Sequence, residues 1–515
     1  MGCVKGKSCK NSSTFAKLHK KIGYGFLKSA LNLPVFEPKV TASLSSSVRK
    51  ITHKDNQLWV PTRYRLSSDD YVSHVLFALK HEGINLQILS LALSHIRKDD
   101  VLSALRKKSS GIYQRQLGFL WEYFNQKTLE VEVPSNARYV TLFDEKRYVT
   151  TKGVRNKKWR VIFNGLGSLA YCPVVEKTER IQAHLNDSVL KRFAAYLSDL
   201  DDYTAERAMQ WAYASEAESN YAIEGEMLEE DELRGVIHLL ELSHKAGRLT
   251  DQDFYELHNQ MMRGRGESVT SYRKIQNWLT NGDKGALGVS YVPPSPDTLK
   301  NLMNGFLEMA NTLPKQVHPV IAASVTSFDF VFLHPFMDGN GRLSRFLFHQ
   351  QLCLSGQMQK GQLLPISLAI KASEAKYLAA LQAFSKPARA LWSVQWIAGY
   401  DYDFRFNGSD AIYRYWDATQ CAEFGLEMAE VALNDLCHEV NDLRCFDAIR
   451  RAVNDRYDVR ETILHHLING CLDLNGVVSK NLRKRYADRV DDVLFDFIET
   501  EAKKALEQCG LDSVK

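Results

Sequence analysis

The sequence predicts a mainly α protein: a helical core with a β-hairpin flap, flanked by a mixed α/β N-terminal domain and a helical C-terminal domain. Three observations lead there. Apolar residues run at helical spacing into and out of a short polar loop, through Ile321, Phe328, Phe330, Val331 and Leu333 on one side and Leu343, Phe346, Leu347 and Leu354 on the other. Extended runs around a Gly-containing segment, residues 272–292, close on Pro293-Pro294 and read as a hairpin. Helical periodicity also fills 71–124 and 412–506, and short extended runs stand at 138–142 and 160–163.

In chain order, residues 1–34 form a basic leader, expected to be flexible; the first 36 residues hold seven lysines and no Asp, Glu or Arg. The 515 residues carry a formal charge of +5, so the remainder sits at about −2, which is not the balance of a nucleic-acid binder. Gly2 and Cys3 beside lysines fit a dual acylation signal, although Gly6 stands where Ser or Thr is preferred; a plain basic leader or a misassigned start are the alternatives. The expected location is cytoplasmic, with membrane association only through an acylated tail. Residues 35–175 form the expected N-terminal domain, 176–397 the core domain and 398–515 the C-terminal domain.

Two decoys are set aside. Gly165, Gly167 and Ala170, with Asp187 further on, mimic a dinucleotide fingerprint, but Pro173 interrupts the helix that would hold pyrophosphate. Lys480, Arg483, Lys484, Arg485 and Arg489 read as a solvated helix face in preference to the recognition end of a helix-turn-helix. Nine cysteines without a C-x-x-C pair point to a reducing compartment and away from zinc.

The residues that narrow the function are His334, Asp338, Gly339, Asn340, Gly341, Arg342 and Arg345, at the expected start of a helix. Pro335 disfavours a helical residue before it, which puts His334 at a helix-to-loop boundary. The helix opening near Asn340 leaves N–H groups without partners at its positive end, and the glycines let an anion reach them. Arg342 and Arg345, three apart, share a helix face, and their forked donors suit phosphate. Asp338 is a hard oxygen ligand for a Mg²⁺ bridging two phosphates, and His334 can take a proton near neutrality. Each feature alone has a plain structural explanation. Together they describe a site for a nucleotide polyphosphate.

The run His334-Pro335-Phe336-Met337-Asp338-Gly339-Asn340-Gly341-Arg342, followed by Arg345, resembles the signature of the Fic family at every fixed position. The resemblance implies transfer of AMP from ATP to a hydroxyl of a target protein, with release of pyrophosphate. It implies His334 as general base, Asp338 as the Mg²⁺ ligand, and Gly339, Asn340 and Gly341 as an anion hole. Arg342 would bind the polyphosphate, Arg345 the γ-phosphate, and Phe336 would anchor the loop in the core. Tyr377 would lie near the adenine, and the hairpin at 272–292 would be a flap on which the target docks by strand addition.

The segment Ser219-Asn220-Tyr221-Ala222-Ile223-Glu224-Gly225 resembles the family's inhibitory helix, in which Glu224 would pair with Arg345 and block the γ-phosphate site. Asn220 stands where the family has Ser or Thr. The run at 77–84 is similar to the leading segment of some multi-domain members. Fic proteins often form homodimers, and no residue here settles that. Other activities on this scaffold stay open: removal of AMP, or transfer of UMP, phosphate or phosphocholine. So does a non-catalytic regulatory protein that touches DNA through its C-terminal part. Arg345 favours a triphosphate donor.

Overall fold

The computed structural model describes residues 21–245, 247–264, 267–399 and 401–508; in them helices dominate and sheets are small, as the periodicity predicts. The expected flexible leader needs correction. Lys21–Ile22 is a strand and Tyr24–Ala30 a helix, with Ile22, Tyr24, Phe26 and Leu27 buried, so residues 21–34 belong to the fold. A count of lysines hides the apolar residues set between them. The acylation reading falls on residues outside those described.

The chain divides into two compact units. One takes the chain up to Asp187, Leu242–Gln357 and Ser373–Leu426; the other takes Ser188–Glu241, Met358–Ala372 and the chain from Glu427. This division cuts across the contiguous domains 35–175, 176–397 and 398–515, because a core gathers segments distant in sequence and composition does not report those contacts.

In the first unit, a four-stranded sheet runs in the order Lys21–Ile22, Thr41–Ser45, Gln57–Pro61, Thr52–Lys54, with the middle pair parallel. Ile22, Ala42, Leu44, Leu58 and Val60 alternate inward onto Phe77 of the helix Tyr71–His81. A second sheet orders Val140–Thr141, Val161–Phe163 and Val154–Asn156. The 165–170 stretch is a loop, as its Pro173 predicts. The remainder is mostly helical and is organised around Pro319–Leu333, which opens on a proline and buries all 15 of its residues. A helix apolar on every side must be enclosed by protein, and here it is. Two hairpins complete the unit: Leu279–Thr280 with Val289–Tyr291, and Trp392–Ala398 with Asp401–Phe406.

Every regular element among the described residues of the second unit is a helix. Cys445, Ile449, Leu464, Leu467, Phe495 and Ile498 form part of its core. Its helix Asp202–Ala222 starts on Asp201, whose carboxylate accepts the Thr204 N–H at 3.0 Å. On that helix Glu216 is fully buried and accepts the backbone N–H and the hydroxyl of Ser367 at 2.7 and 2.5 Å, which fixes the helix Ile366–Ala372. In the basic stretch Arg483 is paired with Asp496 and Glu499 at 2.9 and 2.7 Å. Among the described residues no helix is long and apolar enough to cross a membrane.

Candidate active site

The incoming helix, Pro319–Leu333, stops where Pro335 cannot continue it, and the outgoing helix, Asn340–Leu354, begins at Gly339. His334 and Gly339, the two hinge points, both adopt the left-handed conformation, with φ of 49° and 76°. Glycine is needed at 339 on a second count, since a Cβ there would lie 2.9 Å from Met262 Sδ. His334 does carry a Cβ, and that conformation costs about 1–2 kcal/mol. Contacts hold it. The His334 N–H donates to Phe330 O at 2.9 Å, its carbonyl accepts from Arg273 Nε at 2.9 Å, and the Arg273 N–H donates to Pro335 O at 2.9 Å. His334 Nδ1 lies 3.1 Å from Val331 O. A carbonyl can only accept, which assigns the proton to Nδ1 and leaves Nε2 as the basic nitrogen.

The loop closes on itself through Asn340, whose side chain accepts the Phe336 N–H at 3.0 Å and donates to Phe336 O at 2.9 Å. That amide is therefore committed to the loop, and only the backbone N–H of Asn340 is left to serve an anion. No side chain caps the outgoing helix at Gly339, so the first-turn N–H groups of Asn340, Gly341 and Arg342 open toward the loop. Arg342 and Arg345 are both buried, and Asp338, by contrast, has a side chain 73% exposed. Asp338 Oδ1 accepts the Gly339 N–H at 2.6 Å and lies 3.7 Å from Arg342 Nη2. A protruding carboxylate beside buried guanidiniums and a helix N-terminus suits Mg²⁺ shared with phosphates, since that ion takes one or two protein oxygens and keeps phosphate and water for the rest.

Three supporting residues escape a reading of the sequence. Arg273 also donates to Pro294 O and, at 3.3 Å, to Ile275 O, so one side chain joins the base of the flap to the loop; burial lowers its pKa to about 10. Asn277 Nδ2 donates to Phe336 O at 2.9 Å. His258 Nε2 lies 3.1 Å from the Asp338 carbonyl, its ring 4.3 Å from that of Phe336, and burial pushes its pKa down. Phe336 is the core anchor expected, packed among Tyr255, His258, Tyr272 and Phe330. The three supporters stand 59 to 80 residues before their partners, and only folding brings them together.

A groove of about 380 Å³ lies between Val331 and Phe332, the flap strand Val289–Tyr291 and the helix Glu374–Arg389. Leu378 and Leu381 make it apolar, and Gln382 and Ser385 add polar groups. Tyr377 is half-buried: its ring packs 5.7 Å from both Phe328 and Phe424, and its neighbour Leu378 lines the groove. The flap pairs Leu279 with Tyr291 and Thr280 with Val289, and Leu279 and Thr280 are exposed.

In the second unit, the helix Asp202–Ala222 continues past Ser219, and Asn220 is fully buried in its last turn, not placed as a cap. Glu224 follows in an exposed turn, its N–H on Tyr221 O at 3.0 Å, and Gly225 takes φ 75°.

Comparison with known proteins agrees with the signature. The model of the Fic/DOC family matches residues 248–352, which contain the flap, the loop, the incoming helix and the outgoing helix as far as Leu352. This segment carries the likeness to the Fic/DOC family. Among similar curated proteins is the protein adenylyltransferase Fic of Nematostella vectensis, 29% identical over 148 residues, covering 27% of this chain and 32% of that protein. That of Aedes aegypti is 30% identical over 150 residues, covering 27% and 28%. The chain spans about a third or less of the length of these relatives. A solved Fic family protein from Desulfovibrio desulfuricans G20 aligns at a TM-score of 0.36 with 20% identity, over 62% of this chain and 86% of that one. Arg273, Asn277 and His258 also lie within the matched residues.

Proposed function

We propose that this protein is an adenylyltransferase that moves AMP from ATP to a hydroxyl of a target protein, restrained by Glu224. The observation that carries the proposal is the loop itself: a histidine with its proton fixed on Nδ1, next to an uncapped helix start that bears two buried arginines. His334 Nε2 takes the proton of the incoming hydroxyl as its oxygen bonds to the α-phosphorus. The bond from that phosphorus to the bridging oxygen breaks, and pyrophosphate leaves. The N–H groups of Asn340 and Gly341 and the guanidinium of Arg342 hold the charge that builds on the phosphate oxygens, while Arg345 holds the γ-phosphate. Asp338 would hold Mg²⁺, which would supply charge neutralisation to the phosphates. The apolar groove beside the flap takes the base, with Gln382 and Ser385 as its polar contacts, and the exposed flap edge at Leu279 and Thr280 takes the target strand.

Glu224 carries a negative charge just beyond a helix C-terminus, the negative end of the dipole, where an anion is disfavoured by about 0.3–1 kcal/mol. Such a carboxylate gains most from a cation, and Arg345 is the cation this reading gives it. The proposal is tested by incubating the wild type, Glu224→Ala and His334→Ala with ATP, UTP, CTP and GTP plus Mg²⁺ and following intact mass. Addition of AMP in the Glu224 variant, and none in the His334 variant, is expected. Addition of UMP, of phosphate alone, or of nothing in the Glu224 variant would overturn it.

A further inference from the structure

A second cavity, of about 490 Å³, lies in the first unit between segments 24–87, 147–178 and 383–423, and has no role in the transfer described above. Glu82, in the Phe77–Ile84 run singled out in the sequence, lines it and is 4% exposed. Its Oε1 accepts the Tyr24 N–H at 3.1 Å; its Oε2 is buried with no hydrogen-bond partner among the described residues. A buried carboxylate oxygen left unanswered costs about 1–3 kcal/mol or more, so a site that retains one is short of a donor.

The lining narrows what that donor is. Tyr24, Phe36, Tyr148, Phe384 and Tyr415 contribute aromatic walls. Glu37, Glu176, Asp417 and Glu423 add carboxylates, against the cations Lys39 and Arg147. Both cations are engaged: Lys39 with Glu176 at 2.6 Å and Asp417 at 3.4 Å, and Arg147 with Glu176 at 3.2 Å. Glu37 is met by Lys28 at 2.7 Å, and Glu423 by the Thr178 hydroxyl. An anion would be repelled here. A purely apolar molecule would leave Glu82 unanswered. No group of three or more His, Cys, Asp or Glu side chains is placed to hold a metal among the described residues.

We propose that this cavity binds a compact organic cation, an alkylammonium or guanidinium group, with its charge on Glu82 and its stem against the aromatic walls. Burial pushes the Glu82 carboxyl up to about 8, against smaller opposing pulls from the Tyr24 N–H and Arg147. The cation can belong to a free amine or to a Lys or Arg side chain of a peptide; the chemistry is shared.

Calorimetric titration of the full chain with spermidine, agmatine and short Lys- and Arg-containing peptides tests this. At least one probe should bind the wild type, and Glu82→Gln should weaken it at least about tenfold, while Glu145→Gln, outside the cavity, should not. Because Glu82 also holds the Tyr24 N–H, Asp417→Asn with Glu423→Gln serves as a second variant, with a loss of about threefold or more expected. Binding of free amines alone assigns the site to a small molecule, and binding of peptides assigns it to a side chain; either supports the proposal. No binding by the wild type at about 10 mM of any probe, or equal binding by the variants, would overturn it.

Discussion

The signature loop and the helix end that carries Glu224 are built in opposite ways. In the loop, Asn340 and Asn277 converge on Phe336 O, Arg273 holds the carbonyl of His334, and His258 sits against that of Asp338. Two left-handed residues are kept in place by these buried bonds. At the helix end, Glu224 is exposed, Met227 is 91% exposed, and a Cβ on Gly225 would meet nothing within 4 Å. One region has its geometry settled before any substrate arrives, as catalysis by positioning requires. The other is a short exposed turn at a helix end.

That contrast is sharpest at the base itself. His334→Ala should lower transfer by about 10²–10⁴-fold while the thermal midpoint stays within a few degrees, measured by intact mass and calorimetry side by side. Equal loss of both would mean that the loop is chiefly structural. Asn340→Ala should be next, lowering stability by about 1–3 kcal/mol because Phe336 loses both of its Asn340 bonds, and transfer by more than tenfold. Denaturant unfolding with initial rates checks both. Glu224→Ala should act in the other direction, raising auto-labelling about tenfold or more with almost no change in stability, since an exposed turn contributes little to packing. If it destabilises the protein as much as Asn340→Ala, the contrast fails. Asn277→Ala, which leaves Phe336 O with its Asn340 bond, should cost only a few-fold in rate.

The smallest effect concerns pH. Glu82 has a folded-state pKa near 8 against an ordinary 4.5, so the folded protein binds the extra proton between those values. Its contribution to stability is therefore full below about pH 4.5 and is lost as pH rises through about 8. Glu82→Gln should flatten the fall in thermal midpoint between about pH 5 and pH 8.5; an unchanged slope would show that the group is solvated.

Much of the site is legible in the sequence because it is local. Pro335 and Gly339 fix where two helices stop and start, and the spacing of Arg342 and Arg345 fixes their common face. The braces are not legible, because Arg273, Asn277 and His258 belong to segments whose polar residues give no sign of which turn inward. Tyr377 illustrates the limit on a helix: a single position decides between Phe328 and the groove, and periodicity alone does not choose. Domain boundaries fail for the same reason at larger scale, since Ile366–Ala372 joins Asp202–Ala222 through Ser367 and Glu216 across 151 residues. Lysines dominate the leader's composition, yet Ile22, Phe26 and Leu27 decide the fold of residues 21–34.

The central claim is that the loop directs attack to the α-phosphorus. Glu224→Ala incubated with ATP labelled in its α-phosphate, and in parallel with ATP labelled in its γ-phosphate, tests this most directly. Protein-bound label from the α-labelled nucleotide alone, absent when His334→Ala is added to the same chain, is the expected result. Label arriving from the γ-phosphate, or from the α-phosphate irrespective of His334, would contradict it.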